Sequence, residues 1–504
     1  MKKIFTAVLV LLVAFTGLTF AQDSPSVVAD QIATGSPLYY NHTPNIARSS
    51  NGDLVVAWKS ADGQIVYSIY DDSFMQWSPA VNLSATAGNA DKAGLAADDA
   101  GNVYAVWQQR EATGDDYAVY FAKFDGATWT TPVDLTGTAQ ENEEASVICD
   151  DLGNVFVAWN NDAESDTISY IFCIKSTDQG ATWSDRDSLT SMDGNIGGTS
   201  GTSGRPYLAA GKNGKLVCTW HEEPDGHANR ESFINQYDGS SWLGELPYID
   251  MNDAANSMYP AVCLDSNDNV YMAYVSFLSV EKLVLKKKAW GDADWAAGAD
   301  TLLTDTQVTK PYFGVDSDDN IYLVFRQDMP IDTTGLEEIA YMTSDDLGVT
   351  WTAPMVLSRP GHDAGYVTLA PNIRSTGVDV LWRESATAGE EDEGITAVVY
   401  GKIDLATAIE DTKLSVVSDY RLQQNFPNPF NPETKIAYTL PANSKVTLSV
   451  YNLLGQEVRV LVDATQSAGT HSVSFNAKGL SSGLYFYQLK GEGISLTKKM
   501  IIMQ

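Results

Sequence analysis

Cations are scarce in this chain of 504 residues: 32 Lys and Arg stand against 65 Asp and Glu, a formal charge of −33. A nucleic-acid partner needs a basic stripe that displaces phosphate counterions, and none is written here, so that class is excluded. Acidity of this degree implies solubility and repulsion from anionic surfaces, and says nothing about fold. Long apolar runs are equally rare. After Ile4 to Phe15 nothing approaches the roughly twenty apolar residues of a membrane span, so the mature chain is expected to carry no transmembrane segment. Cysteine is thin, with four residues, which rules out a disulfide-dense scaffold. No serine or cysteine triad, phosphate-binding glycine loop or haem motif is present, and no cofactor is called for.

What is present begins with an address. Lys2 and Lys3 precede the apolar run, and Thr19-Phe20-Ala21 offers a small-x-small cleavage site, so residues 1–21 read as a secretory signal peptide.

From about residue 44 to 405 one module recurs seven times. Each copy has an apolar strand, an acidic or Asn-Gly turn, a strand ending in an aromatic, a third strand, and a turn closed by tryptophan. The strand-ending aromatics are Trp58, Trp107, Trp159, Trp220, Tyr274, Phe325 and Trp382, at spacings of 49, 52, 61, 54, 51 and 57. A strand-only repeat of this size predicts an all-β, seven-bladed β-propeller over residues 22–405, one four-stranded blade per copy. The seventh copy lacks an outer strand, and the stretch from Val27 to Ile32 has that character. Residues 27–35 are therefore expected to complete the last blade and remove an open edge. In the second copy the expected strands are Lys92 to Ala97, Val103 to Gln108, Tyr117 to Phe124 and Trp129 to Leu135. Cys149 and Cys173 share a copy but lie two strands apart, about 9–10 Å at sheet spacing and beyond disulfide reach. Four buried, unpaired thiols are expected.

The turns at Asp98, Asp150, Asp265 and Asp316 share an Asp-x-x-x-Asn pattern that superficially resembles a calcium loop. An apolar strand follows where such a loop needs a bidentate carboxylate, so they are read as tight turns and no metal is assigned. A second turn type is more specific. Ser176-Thr177-Asp178-Gln179-Gly180-Ala181-Thr182-Trp183 and Ser344-Asp345-Asp346-Leu347-Gly348-Val349-Thr350-Trp351 both read Ser-x-Asp-x-Gly-x-Thr-Trp, with worn copies at Asp125 and Asp238. The pattern resembles the Asp-box of sialidase-like propellers. In those families the box lies on the face opposite the active site, so the resemblance implies a structural role and no reaction.

A site is then expected on the other face, near residues that follow the second-strand aromatics: Lys59, Arg110, Asn160, His221 with Glu222, Arg326, and Arg383 with Glu384. Arg326, Arg383 and Lys59 belong to the sixth, seventh and first copies, neighbours in a closed ring, and three fixed cations there would bind a carboxylate. The alternative pairs them with Glu384, Glu222 and the acidic run at residues 390–393. Arg205-Pro206-Tyr207 faintly resembles the Arg-Ile-Pro opening of sialidases, but the spacing departs and no Tyr-Glu nucleophile pair is assignable. Tyr259 and Tyr366 stand at inner-strand starts. His221, Glu222, Glu223, Asp225 and His227 crowd one loop and read as a solvated acidic loop before a metal site.

After a linker at 406–419 the chain changes character. Asn425-Phe426-Pro427-Asn428-Pro429-Phe430-Asn431-Pro432 makes a rigid extended opening, and six alternating runs between Lys435 and Ile502 predict a small immunoglobulin-like β-sandwich over 420–504. Together with Val450-Tyr451-Asn452-Leu453-Leu454-Gly455, Ser482-Gly483-Leu484-Tyr485 and Lys498-Lys499-Met500, the module closely resembles the C-terminal sorting domain of the type IX secretion route. The resemblance implies delivery through the periplasm to the outer surface or medium, with the secretion machinery as partner of residues 422–504. Three functions fit such a chain, expected to be monomeric: a glycan- or protein-binding propeller, a carbohydrate-active enzyme (glycosidase, sialidase-like or polysaccharide lyase), and a non-catalytic adhesion scaffold.

Overall fold

The computed structural model describes residues 25–32, 38, 43–71, 76–84, 89–112, 115–137, 141–162, 169–190, 204–222, 230–246, 256–277, 281–292, 295, 300–304, 308–328, 336–371, 373, 377–385, 396–403, 421–422, 425, 430, 432–440, 444–452, 456–466, 469–491 and 494–502. The chain divides into two compact units: 1–50, 57–65 and 83–406 form the first, and 51–56, 66–82 and 407–504 the second.

The repeats fold as antiparallel sheets of about four strands, a blade-like, propeller-type architecture. The second repeat is typical, with an inner strand Asn89–Ala97, then Val103–Arg110, Ala118–Phe124 and a short outer strand Val133–Asp134. In the seventh sheet Asp363–Leu369, Val378–Ser385 and Thr396–Ile403 are joined by Ser26–Ile32, antiparallel to the last. Successive inner strands abut one another, and the first, Ile46–Arg48, abuts both Asp363–Leu369 and Val378–Ser385. There Arg48 donates two hydrogen bonds to the Asp379 carboxylate, 2.5 and 2.8 Å long.

Outer strands are shorter than the sequence implies. Trp129 makes only an isolated bridge to Phe124, and regular pairing begins at Val133. The turn consumes the preceding residues, and Pro132, without an N–H, cannot extend the ladder. Pro354 delays the outer strand Met355–Val356 in the same way.

Period-two alternation explains where the core sits. Along Val155–Asp162, Val155, Val157 and Trp159 pack with Tyr104, Val106 and Phe121 of the second repeat. Phe156 and Ala158, on the other side, pack with Leu208, Cys218 and Trp220 of the fourth. Each sheet is thus buried on both faces between its neighbours, which is why its strands read as nearly continuous apolar runs. All seven strand-ending aromatics are buried, and so are the four cysteines, which form no disulfides.

The acidic turns are closed by the chain itself. Asp98 accepts the Asn102 N–H and Nδ2 at 2.8 and 2.7 Å and the Tyr104 hydroxyl at 2.7 Å. Asp265 and Asp316 repeat the pattern with Asn269 and Tyr271, and with Asn320 and Tyr322. These carboxylates are occupied by protein donors, and among the described residues no cluster of metal-ligating side chains occurs. Further carboxylates tie repeat to repeat: Asp151 accepts the N–H groups of Asn213 and Gly214, and Asp319 accepts the N–H and hydroxyl of Ser266.

The two full Ser-x-Asp-x-Gly-x-Thr-Trp turns have one geometry. Asp178 accepts the Ser176 hydroxyl at 2.8 Å and the Thr182 N–H and hydroxyl at 2.8 and 2.6 Å, while Gly180 N–H donates to Ser176. Asp346 does the same with Ser344 and Thr350, with Gly348 N–H on Ser344, and Trp351 Nε1 donates back to the Gly348 carbonyl. Gly180 is required: its φ is +87°, and a Cβ would stand 2.4 Å from Phe121, the ring on which Trp183 rests edge-on.

The second unit contains two antiparallel sheets around one core. Arg421–Leu422, Glu433–Leu440 and Gly469–Asn476 form one, and Glu457–Gln466, Ser444–Tyr451, Gly483–Gly491 and Ile494–Ile502 the other. Ile436, Tyr438 and Phe475 of the first sheet pack with Leu448, Tyr487 and Met500 of the second. The opening segment is anchored at Asn425, whose N–H donates to the Tyr487 hydroxyl at 2.7 Å. Among the described residues no helix is long and apolar enough to cross a membrane.

Candidate functional site

The strongest local signal is backbone strain repeated around the inner strands. Lys92, Glu144, Arg205, Tyr259, Lys310 and Tyr366 all have positive φ, from 39° to 58°. Each sits where the inner strand slips register against its partner, inside the intervals 91/94, 143/146, 204/207, 258/261, 309/312 and 365/368. A bulge inserts one residue and re-aims its side chain out of the pleat, and a left-handed conformation there costs a non-glycine residue on the order of 1–2 kcal/mol. Six such costs in register, carried by Lys, Glu, Arg and Tyr where Gly would be free of them, mark a candidate site.

These side chains meet in sequence. Lys92 Nζ lies 2.9 Å from Glu144 and 3.3 Å from Glu143, and Arg205 Nε lies 3.2 Å from the same Glu144 oxygen. Burial works against the Lys92 charge, yet Glu144 and Glu143 hold its pKa above the usual lysine value. Farther round, Lys310 Nζ stands 3.8 Å above the Tyr366 ring and the Arg383 guanidinium 4.1 Å from it. Two cations over one ring fix positive charge near the inner-strand starts by cation–π attraction.

His221 is the penultimate residue of the second strand of the fourth repeat, Leu216–Glu222, and is nearly fully buried, with its ring 6.1 Å from that of Tyr259. Burial first, then the charges of Arg205 and Arg230, push its pKa down to about 3, so the imidazole is neutral at physiological pH. In the third repeat Glu141 is pushed up to about 7, by burial and then by the Glu143 charge beside it.

The sequence-derived cations resolve differently. Lys59, Arg326 and Arg383 each lean on a partner of their own: Asp91 at 2.9 Å, Glu337 at 2.5 Å with Thr309, and Tyr366. Arg110 lies 4.7 Å from the Tyr117 ring. Glu384 accepts hydrogen bonds from the Arg359 N–H and guanidinium and from Trp382 Nε1. Residues 223–229 and 386–395, which hold His227 and both acidic runs, lie outside the described residues, as does the Glu222 side chain. Lys92, Glu144 and Lys310 escaped sequence reasoning. Their signal is positional: in the second to sixth repeats the strained residue stands six positions before the first residue of the tight turn.

Comparison with known proteins adds two findings. Residues 424–503 match the family model of the secretion system C-terminal sorting domain. The chain's fold is similar to that of an ulvan lyase of polysaccharide lyase family PL25, at 14% identity and a TM-score of 0.55, over 77% of this chain and 98% of that one. The same lyase bound to -[GlcA(1-4)Rha3S]- aligns with a TM-score of 0.54. A Hadza microbial sialidase aligns with a TM-score of 0.46 at 14% identity, over 71% of this chain and 74% of that one. No curated protein sequence matches the chain. Fold and sorting domain define the class: a secreted or surface-located all-β protein with a propeller-type fold seen in carbohydrate-active enzymes. Its C-terminal domain is of the kind recognised by the type IX secretion system.

Proposed function

We propose that the seven sheets close into a seven-bladed, sialidase-like propeller that binds an anionic polysaccharide at the inner-strand bulges. An immunoglobulin-like sorting domain from about residue 420 delivers it to the cell surface or medium. The carrying observation is the row of strained inner-strand bulges, where Lys92 and Arg205 share Glu144 and where Lys310 and Arg383 share the Tyr366 ring, in a protein otherwise dominated by acids. The Arg48–Asp379 pair between the first and seventh repeats supports closure. A uronate or sulfate group would satisfy such cations by charge-assisted bonds, and the Asp-box turns, built from internally satisfied carboxylates, are structural. The uronate- and sulfate-bearing ligand of the lyase that shares this fold makes -[GlcA(1-4)Rha3S]- the first probe. Titration calorimetry of the mature protein with that oligosaccharide should give saturable binding, weakened about tenfold or more by Arg205→Ala or Lys310→Ala. Unchanged affinity in both folded variants would sink the assignment.

A second reading rests on His221. A neutral imidazole beside Tyr259 and near Arg205 supplies the parts of a β-elimination: a base for the proton α to the uronate carboxylate, a phenol near the leaving oxygen, and a cation to hold the carboxylate. A bound carboxylate would also offset the Arg205 and Arg230 charges that depress the imidazole's pKa. Incubation with the same oligosaccharide, followed for ultraviolet absorbance of unsaturated uronate ends, tests it. Binding without new absorbance removes the lyase reading and leaves the binding one.

A further inference from the structure

A cleft of about 530 Å³ opens between the second and third repeats; Asn142 of the third inner strand reaches it, but none of the strained residues lines it. Its volume falls within the roughly 300–1,000 Å³ of small-molecule sites. One wall is Val133–Asp134, the edge strand of its sheet among the described residues, and Val133 is 51% exposed. Trp183 to Arg186, Trp159 and Ile174 are also in the lining. Trp183 is half-buried and braced edge-on by Phe121 at 5.0 Å. The Arg186 guanidinium lies 4.4 Å from the Phe172 ring, which fixes its plane while its side chain stays exposed. Asp134 holds its own turn by accepting the N–H groups of Thr136 and Gly137 on one oxygen.

We propose that this cleft is a separate binding site for an uncharged pyranose segment. The sugar's C–H face would lie on Trp183, and its hydroxyls would bridge Arg186, Asp185 and Asp134, an indole platform beside fixed donors and acceptors. Charge decides the class of sugar: two carboxylates against one guanidinium repel uronates and sulfates, whereas a neutral sugar meets no penalty. The cleft therefore selects a glycan opposite in character to that expected at the inner-strand bulges, and does not depend on their function.

The test is ligand-observed NMR and tryptophan fluorescence of the full mature chain with xylohexaose, cellohexaose and laminarihexaose. At least one should bind saturably, weakened about tenfold or more by Arg186→Ala and by Val133→Asp, which places a charge in the mouth of the cleft. Both substitutions are at exposed positions, and thermal melts verify folding. Arg205→Ala and Lys310→Ala should leave this binding unchanged. The proposal is overturned if none of the three oligosaccharides binds, if both cleft variants bind as the wild type does, or if only the bulge variants abolish binding.

Discussion

Replacing Tyr366 by glycine and by alanine asks whether the strain at the inner-strand bulges is real. Both substitutions delete the same ring, and with it the contacts to Lys310 and Arg383, so the loss cancels in their difference. What remains is the preference of residue 366 for its φ of 51°. In an ordinary strand alanine is the more stable of the two by roughly 0.5–1 kcal/mol, because glycine loses more backbone entropy on folding. In the left-handed region the order reverses, since alanine's Cβ meets the carbonyl and costs about 1–2 kcal/mol. The glycine variant should therefore be the more stable by about 1 kcal/mol, read as a higher urea midpoint at equal slope. Equal midpoints, or a more stable alanine variant, would show that the inner strand relaxes at the bulge and that no strain marks a site. Both variants should bind the anionic oligosaccharide more weakly than the parent.

Three other perturbations address the frame. Arg48→Ala leaves Asp379 buried with only the Tyr400 hydroxyl as a described partner and should cost about 3–5 kcal/mol, measured by urea unfolding; a loss under about 1 kcal/mol would argue against closure between the first and seventh repeats. Hydrogen bonds, from Thr182 to Asp178 and from Thr350 to Asp346, hold both carboxyls near pKa 2, below an unfolded value of about 3.9. Their contribution is present above that value and lost as pH falls toward 2, so the stability gap between the parent and an Asp178→Asn, Asp346→Asn double variant should close over that range; a gap independent of pH refutes the assignment. Deleting residues 422–504 should leave the folded repeats in the periplasm, checked by cell fractionation, whereas undiminished surface display would contradict a sorting role.

Repeat architecture was legible in the sequence because it rests on local chemistry. Strands buried on both faces must read as apolar runs, Asp-x-x-x-Asn turns satisfy their own donors within five residues, and a Pro-rich opening followed by alternating strands needs no distant partner to be recognised. The candidate site was only partly legible. Arg205, His221, Tyr259, Tyr366 and Arg383 stood out by type or place, but their grouping did not; of the expected trio, Lys59 pairs with Asp91, Arg326 with Glu337, and Arg383 lies over Tyr366. Side-chain direction at an inner-strand start depends on whether the strand slips register, and that slip is a property of the paired sheet. Thus periodicity alone determined an all-β class and the places of the turns, and local motifs near the C-terminus pointed to export, because each depends on residues close in the chain. Tertiary packing alone decided that Lys92, Glu144 and Arg205 share charge and that Lys310 and Arg383 share one tyrosine ring. Each group draws on more than one repeat, and a bulge aims Lys92, Glu144, Arg205, Lys310 and Tyr366 only after their sheets have formed.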